Sequence, residues 1–267
     1  MLALGFSTRS SVLAGSAQSP RALMRSFERP LGLGTRAALL AGSTQRLPAL
    51  TRSFERPFRS TAPQMGLADE MRAPSGGFFS WIAMKMMGSG AGADSIDAVN
   101  TMLDLQPGSS VVELGPGLGY SLKAILDTKP SQVYAIEISD LFRDELKKDA
   151  QVAAAISSGV VTISGEDAVA LPSLADASVD CVFGHNVIYF LDPLPSYLAE
   201  FHRVLKPGGV LFWGVKDVAK SFDQSVYVNT EWELCKKAME DAGFEAELGA
   251  ARLEGGLQYS PLKGTKK

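Results

Sequence analysis

Cysteine and histidine are scarce in this 267-residue chain, with two of each: Cys181 and Cys235, His185 and His202. Two separate thiols cannot build a disulfide framework, and two histidines with no Cys pair nearby leave no zinc-type spacing. A reducing compartment and no structural metal are therefore expected. Also missing is an apolar run close to the ~18–20 residues that cross a membrane as a helix. The stretch GGVLFWGV (208–215) is one of the longest apolar runs, and Gly interrupts it. Residues 1–62 lack lysine and hold two acids, Glu28 and Glu55, against nine arginines. The formal net charge of −3 thus averages a segment of +7 with a remainder of −10. An acidic remainder repels phosphate backbones, which argues against nucleic acid as a partner.

What is present is an ordinary globular mix, 46% hydrophobic and 21% charged, long enough for one domain with an appendage. The appendage is residues 1–62, whose Arg, Ser, Ala and Leu with few acids have the composition of an organelle transit peptide, disordered by itself. Within it, 4–30 aligns without gaps on 31–57 at 17 of 27 positions, a tandem duplication. One duplication falls short of the repeats a solenoid needs. A mitochondrial matrix or plastid destination follows, with cleavage expected near Arg59-Ser60; a translation start at Met65 is the alternative. Residues 63–92 read as a linker and amphipathic arm. Its segment 75–87 carries Phe78, Phe79, Trp81, Met84 and Met87. It is read as a docked lid, or else as a helix making peripheral contact with a membrane.

From about residue 93, short β-branched runs alternate with helical patterns, the signature of a parallel sheet with crossover helices. Strands are expected at 109–115, 132–138, 159–165, 179–187 and 210–215. Helices are expected at 119–128, at 140–156 (capped by Asp140) and at 194–205, where Leu194, Leu198, Phe201 and Leu205 repeat at three- and four-residue steps. KPGG (206–209) stops that last helix. A further helix carries Trp232, Cys235, Met239 and Ala242 on one face and ends at Gly243. Stretches 245–253 and 256–263 pair as an antiparallel C-terminal edge. The expected fold is α/β, a doubly wound seven-stranded, mostly parallel, Rossmann-like sheet. Such a sheet binds ligands beyond the carboxyl ends of its strands.

Chemistry concentrates there. Glu113-Leu-Gly115-Pro-Gly117-Leu-Gly119 leaves the first strand and enters a helix. Glycines at alternate positions turn the chain tightly and expose main-chain N–H groups to a ligand at a helix N-terminus. Glu137, eighteen residues past Gly119, ends the second strand, where a carboxylate can accept both ribose hydroxyls of a nucleoside. The spacing G-x-G-x-G is one residue short of the dinucleotide fingerprint. Glu166-Asp167 ends the third strand, where an acid can accept from an adenine amine.

With these residues placed, the sequence resembles the class I S-adenosylmethionine-dependent methyltransferases, in their small single-domain, type 11-like branch. The resemblance covers about 93–265 and makes 93–267 the methyltransferase domain. It is carried by VVELGPGLGY, VYAIEIS, VTISGEDAVALP and, most specifically, VDCVFGHNVIYFLDPLPSYLAEFHRVLKPGGVLFW. It implies S-adenosylmethionine as cofactor. Gly115, Gly117 and Gly119 would lie against its methionine part. Glu137 would hold the ribose and Ile138 the adenine face, while Asp167 and the backbone of Ala168 would read the adenine edge. Asn186 would line the methyl-transfer cleft. Glu113 is read as a positioning residue that bonds the loop backbone or the cofactor ammonium. Asp167 has the plainer reading of a turn cap.

Methyl transfer from a sulfonium is an in-line displacement that needs alignment and dryness more than a catalytic side chain. No residue is assigned catalysis; His185 and Tyr189, near the end of the fourth strand, are the candidates, each with the alternative of a packed core residue. Asn186-Val-Ile-Tyr stands where base-amino methylases have an Asp/Asn-Pro-Pro-aromatic motif, and two isolated cysteines do not make a thiol cluster. A small, apolar or aromatic organic acceptor remains. The alternative function is a non-catalytic, methyltransferase-like organellar assembly protein.

Overall fold

A computed structural model describes residues 67–73, 76, 92–254 and 257–267, all within one unit, Ser60–Lys267. Residues 1–62, expected to be a transit peptide, and, apart from Gly76, the segment 75–87 lie outside the described residues. Helix α1 (Leu67–Arg72) places Met71 against the core and is followed by α2 (Gly92–Met102). Strand β1 (Ser110–Leu114) then leads into α3 (Tyr120–Asp127), and β2 (Gln132–Ile136) into α4 (Asp140–Leu146) and α5 (Ala150–Ser157). Next come β3 (Val161–Ser164), β4 (Val179–His185), a short 3₁₀ turn (Ile188–Phe190), α6 (Leu194–Val204) and β5 (Leu205–Val215). A second 3₁₀ turn (Asp217–Ser221) precedes α7 (Trp232–Asp241), β6 (Phe244–Leu248), β7 (Arg252–Glu254) and β8 (Leu257–Lys266).

The sheet runs β3-β2-β1-β4-β5-β8-β6, with β7 paired to β8. Strands β1 to β5 are parallel, and β8 is antiparallel to both of its neighbours. Strand order therefore reverses between β1 and β4, which fixes where a crevice opens. Alternation along each strand splits the apolar residues between two faces. Val112, Val182, Leu211 and Trp213 join the core under α6 and α7; Val111, Cys181, Phe183 and Phe212 join the core that holds Leu122 and Ile125 of α3. Helix α6 buries Leu194, Leu198 and Phe201 of its periodic face, each such burial contributing about 1.5–3 kcal/mol, while Leu205, the fourth residue of that repeat, is buried as the first residue of β5.

The structure departs from the sequence expectations in four places. The helix expected over 140–156 is two helices, because Asp149 accepts from the N–H groups of Gln151 and Val152 and so caps a new one. Its start is capped by Ser139, not by Asp140, which is the first helical residue. Lys206–Gly209 bulges out of β5: Leu205 pairs with Val179 and Val210 with Cys181, while Pro207 has no N–H to give a ladder. The two final stretches do pair antiparallel at this edge region, but not as two strands. β8 is inserted between β5 and β6, the stretch 245–253 breaks into β6 and β7, and the strands number eight.

Candidate functional site

The carboxyl ends of β1, β2 and β4 meet where the strand order turns. Gly115, Gly117 and Gly119 all have positive φ, 61°, 54° and 80°. A Cβ on Gly115 would meet Val187 Cγ2 at 2.8 Å, and one on Gly119 would meet Leu146 Cδ2 at 2.7 Å, so the loop is wedged between β4's exit and α4. On Gly117 a Cβ would meet nothing nearer than 4.0 Å: this glycine keeps one side clear. Gly115 N–H donates to Ile136 O (2.8 Å), tying the loop to β2.

Two buried carboxylates frame the loop. Glu137, 4% exposed, accepts from Gly117 N–H (3.1 Å) and Ser139 N–H (2.9 Å), so one side chain joins the glycine loop to the start of α4. Burial raises its pKa, against the pull of the Ser139 and Gly117 N–H groups. Glu113, 1% exposed, accepts from Ser121 Oγ at 2.5 Å through Oε1. Its Oε2 is buried with no hydrogen-bond partner. Burial pushes its carboxyl up to about 8, with Ser121 opposing and the neighbouring Glu137 adding to the rise. A native interior rarely leaves such an oxygen unmade, so this orphan, in the strand that leads into the glycine loop, is a candidate for contact with a ligand.

The residues expected at the adenine side are also brought to this end. Ile138, next to Glu137, is a large apolar side chain left 45% exposed. Asp167 is exposed and Ala168 buried. Asp167 Oδ1 accepts from Val169 N–H (3.1 Å), which is the turn-capping bond, and the carboxylate also bonds the Tyr197 side chain. Past β4, Asn186 takes the left-handed conformation (φ 60°), with its N–H on Gly214 O at 2.9 Å.

Of the two readings given to each candidate catalytic residue, the structure shows the packed one. Tyr189 does not open on the crevice: it is 3% exposed, and burial raises its phenol pKa. The His185 side chain is 5% exposed, and burial brings its pKa down to about 4, against Asp94. His185 Nε2 lies 3.8 Å from Asp94 Oδ2, which forms an ion pair with Lys216. Sequence reasoning missed this pair, since nothing local links the first turn of α2 to the residue after β5. The same holds for Asp97, which accepts from Arg252 Nε (2.9 Å) and the Tyr259 hydroxyl (2.5 Å) and so fastens α2 to β7 and β8. A Tyr-x-x-x-Lys spacing, of the kind that delivers a proton beside a nicotinamide, occurs at Tyr259–Lys263, but it lies within β8 with its hydroxyl committed to Asp97. Among the described residues no His/Cys/Asp/Glu group could hold a metal, and no helix is long and apolar enough to cross a membrane.

Fold and site together define an α/β domain with a glycine loop and two buried carboxylates at the switch point of its sheet. Residues 112–213 match the family model described as a methyltransferase domain, type 11. The chain is similar to dimethylglycine N-methyltransferase of Parasynechococcus marenigrum (strain WH8102), 32% identical over 115 residues, 42% of this chain and 40% of that protein. It thus spans about two fifths of that relative's length. A SAM-dependent methyltransferase from Aquifex aeolicus superposes with a TM-score of 0.53 at 22% identity, over 69% of this chain and 97% of its own. A phosphoethanolamine N-methyltransferase 2 of Haemonchus contortus, solved with phosphomonomethylethanolamine and S-adenosylhomocysteine, gives 0.52 at 13% identity, over 65% and 52%. Residues 112–213 thus match a methyltransferase-domain model, and the mostly parallel sheet with its antiparallel edge region is the fold seen in these methyltransferase structures.

Proposed function

We propose that the protein is an S-adenosylmethionine-dependent methyltransferase acting on a small, apolar or aromatic organic acceptor. The observation that carries the reading is a buried carboxylate oxygen with no partner, on Glu113 of β1, in the strand that leads into a turn whose Gly117 keeps one side clear. These features fit the cofactor. Glu113 Oε2 would take its ammonium, the glycine loop its methionine part and Glu137 its ribose hydroxyls, with Ile138 against the adenine face and Asp167 and Ala168 at the adenine edge. When bound, the cofactor supplies an electrophilic methyl group on a positively charged sulfur. The chain's part is to orient it and exclude water, effects that reach ~7–11 kcal/mol in well-oriented intramolecular reactions. No acid–base side chain is assigned, because His185 and Tyr189 are buried.

The smallness of the acceptor rests on the acidic balance of residues 63–267, unsuited to polyanions, and on the methyltransferase relative named for dimethylglycine. An organellar destination, the mitochondrial matrix or a plastid, is proposed from the composition of residues 1–62, and N-terminal sequencing of the mature protein tests it. An orphaned buried carboxylate favours a working pocket over a non-catalytic assembly protein. Calorimetric titration with S-adenosylmethionine is the decisive experiment. Glu137→Ala should weaken binding at least tenfold by removing two charge-assisted bonds; binding indifferent to that substitution rejects the site.

A further inference from the structure

We infer that Asn186 offers its amide nitrogen, not its amide oxygen, to the crevice, so that the group it recognises is a hydrogen-bond-accepting oxygen, and that Tyr189 sets this orientation. The inference rests on the methyltransferase reading for the identity of the crevice and on a chain of donors for the direction. The Lys216 main-chain N–H can only donate, and it donates to the Tyr189 hydroxyl at 3.0 Å. Tyr189 is buried and its phenol stays protonated, so the hydroxyl still has one hydrogen to give. That hydrogen goes to Asn186 Oδ1, 2.9 Å away. With the amide turned over, two donors would face the hydroxyl and its own hydrogen would be stranded inside the protein. The backbone under Asn186 is held by its bond to Gly214 O, and the next residue, Val187, packs on Gly115 of the glycine loop. Among the described residues the Asn186 Nδ2 takes no partner, nor is it one of the buried orphans.

Two N–H donors therefore stand beside the methionine end of the cofactor pocket. They suit an oxygen with lone pairs and offer nothing to an ammonium, whether that oxygen is the cofactor's own carboxylate or an oxyanion of the acceptor. Tyr189 touches neither and is a positioning residue.

The test uses the full chain, ¹⁵N-labelled at asparagine, with the Asn186 amide pair assigned by its loss in Asn186→Asp. A shift of that pair on adding S-adenosylhomocysteine, absent with the decarboxylated analogue, assigns the oxygen to the cofactor. A shift that appears when benzoate is added to the S-adenosylhomocysteine complex assigns it to the acceptor. A pair that responds to neither overturns the inference. A wild type that fails to bind S-adenosylhomocysteine sinks the methyltransferase reading instead, which keeps the two failures apart. Tyr189→Phe should displace the amide pair in the free protein, weaken the responding ligand threefold to tenfold, and add no further loss to Asn186→Asp. An unmoved pair, or fully additive losses, removes the positioning role. Should Tyr189→Phe not fold, Asn186→Asp decides alone. It keeps an oxygen toward Tyr189, so it should melt like wild type and bind the responding ligand at least tenfold more weakly; unchanged affinity overturns the inference.

Discussion

Replacing Glu113 by Gln keeps the shape of the side chain and a partner for Ser121 while abolishing its titration. Burial holds the carboxyl at about 8, so at pH 7 roughly nine-tenths of the molecules carry its proton. Pairing with an ammonium requires that proton to leave. Binding of S-adenosylmethionine at pH 7 should therefore release ~0.9 proton from wild type, falling to ~0.1 at pH 9. From Glu113→Gln this release should vanish. Calorimetry in two buffers of different ionisation enthalpy reads the number directly. The ligand's own α-amino group titrates near ~8 and contributes to both proteins alike, so the difference between them is the quantity of interest. Stability carries the same signature with a definite sign. The folded pKa lies above the ordinary 4.5, so the native state binds more protons between pH 4.5 and 8. Glu113 should cost wild type stability as pH rises through that window, by up to ~1.4 kcal/mol per pH unit, a contribution the Gln variant lacks. Equal proton release by the two proteins, or parallel stability profiles from pH 5 to 8, would refute the assignment of Glu113.

Two further outcomes follow from the same geometry. Gly119→Ala forces a side chain onto a φ of 80° and against Leu146, and should cost about 1–3 kcal/mol, read as a drop of several degrees in melting temperature; an unchanged melt contradicts the strain argument. Lys216→Met leaves Asp94 buried at 0% exposure without its cation, an expected loss of about 3–5 kcal/mol in denaturant unfolding. Adding Asp94→Asn should restore most of that loss, and a double variant no better than the single would show that the pair is not what holds α2.

The parts of the fold legible in the sequence are those governed by local pattern. The repeat of Leu194, Leu198 and Phe201 is a helix face, and the alternation of Val111 and Val112 across two cores reflects the pleat. The glycine loop and Glu137 were legible because the turn chemistry and the spacing to the next strand are short-range. What was not legible depends on competition or distance. Whether Asp149 continues a helix or caps a new one turns on a balance of a few tenths to about 2 kcal/mol. The burial of Tyr189 and His185 is set by Lys216, Asp94 and Tyr259, which reach them from other elements. Strand order beyond β5 is likewise a matter of which edge a late segment finds first.

That late segment constrains how the molecule can assemble. Strand β6 precedes β8 in the chain but touches the rest of the sheet only through it. Take residues 257–266 away and β6, with Glu245 and Glu247 along it, has no ladder to join, while β5 is left with an open edge. One ten-residue strand thus satisfies both.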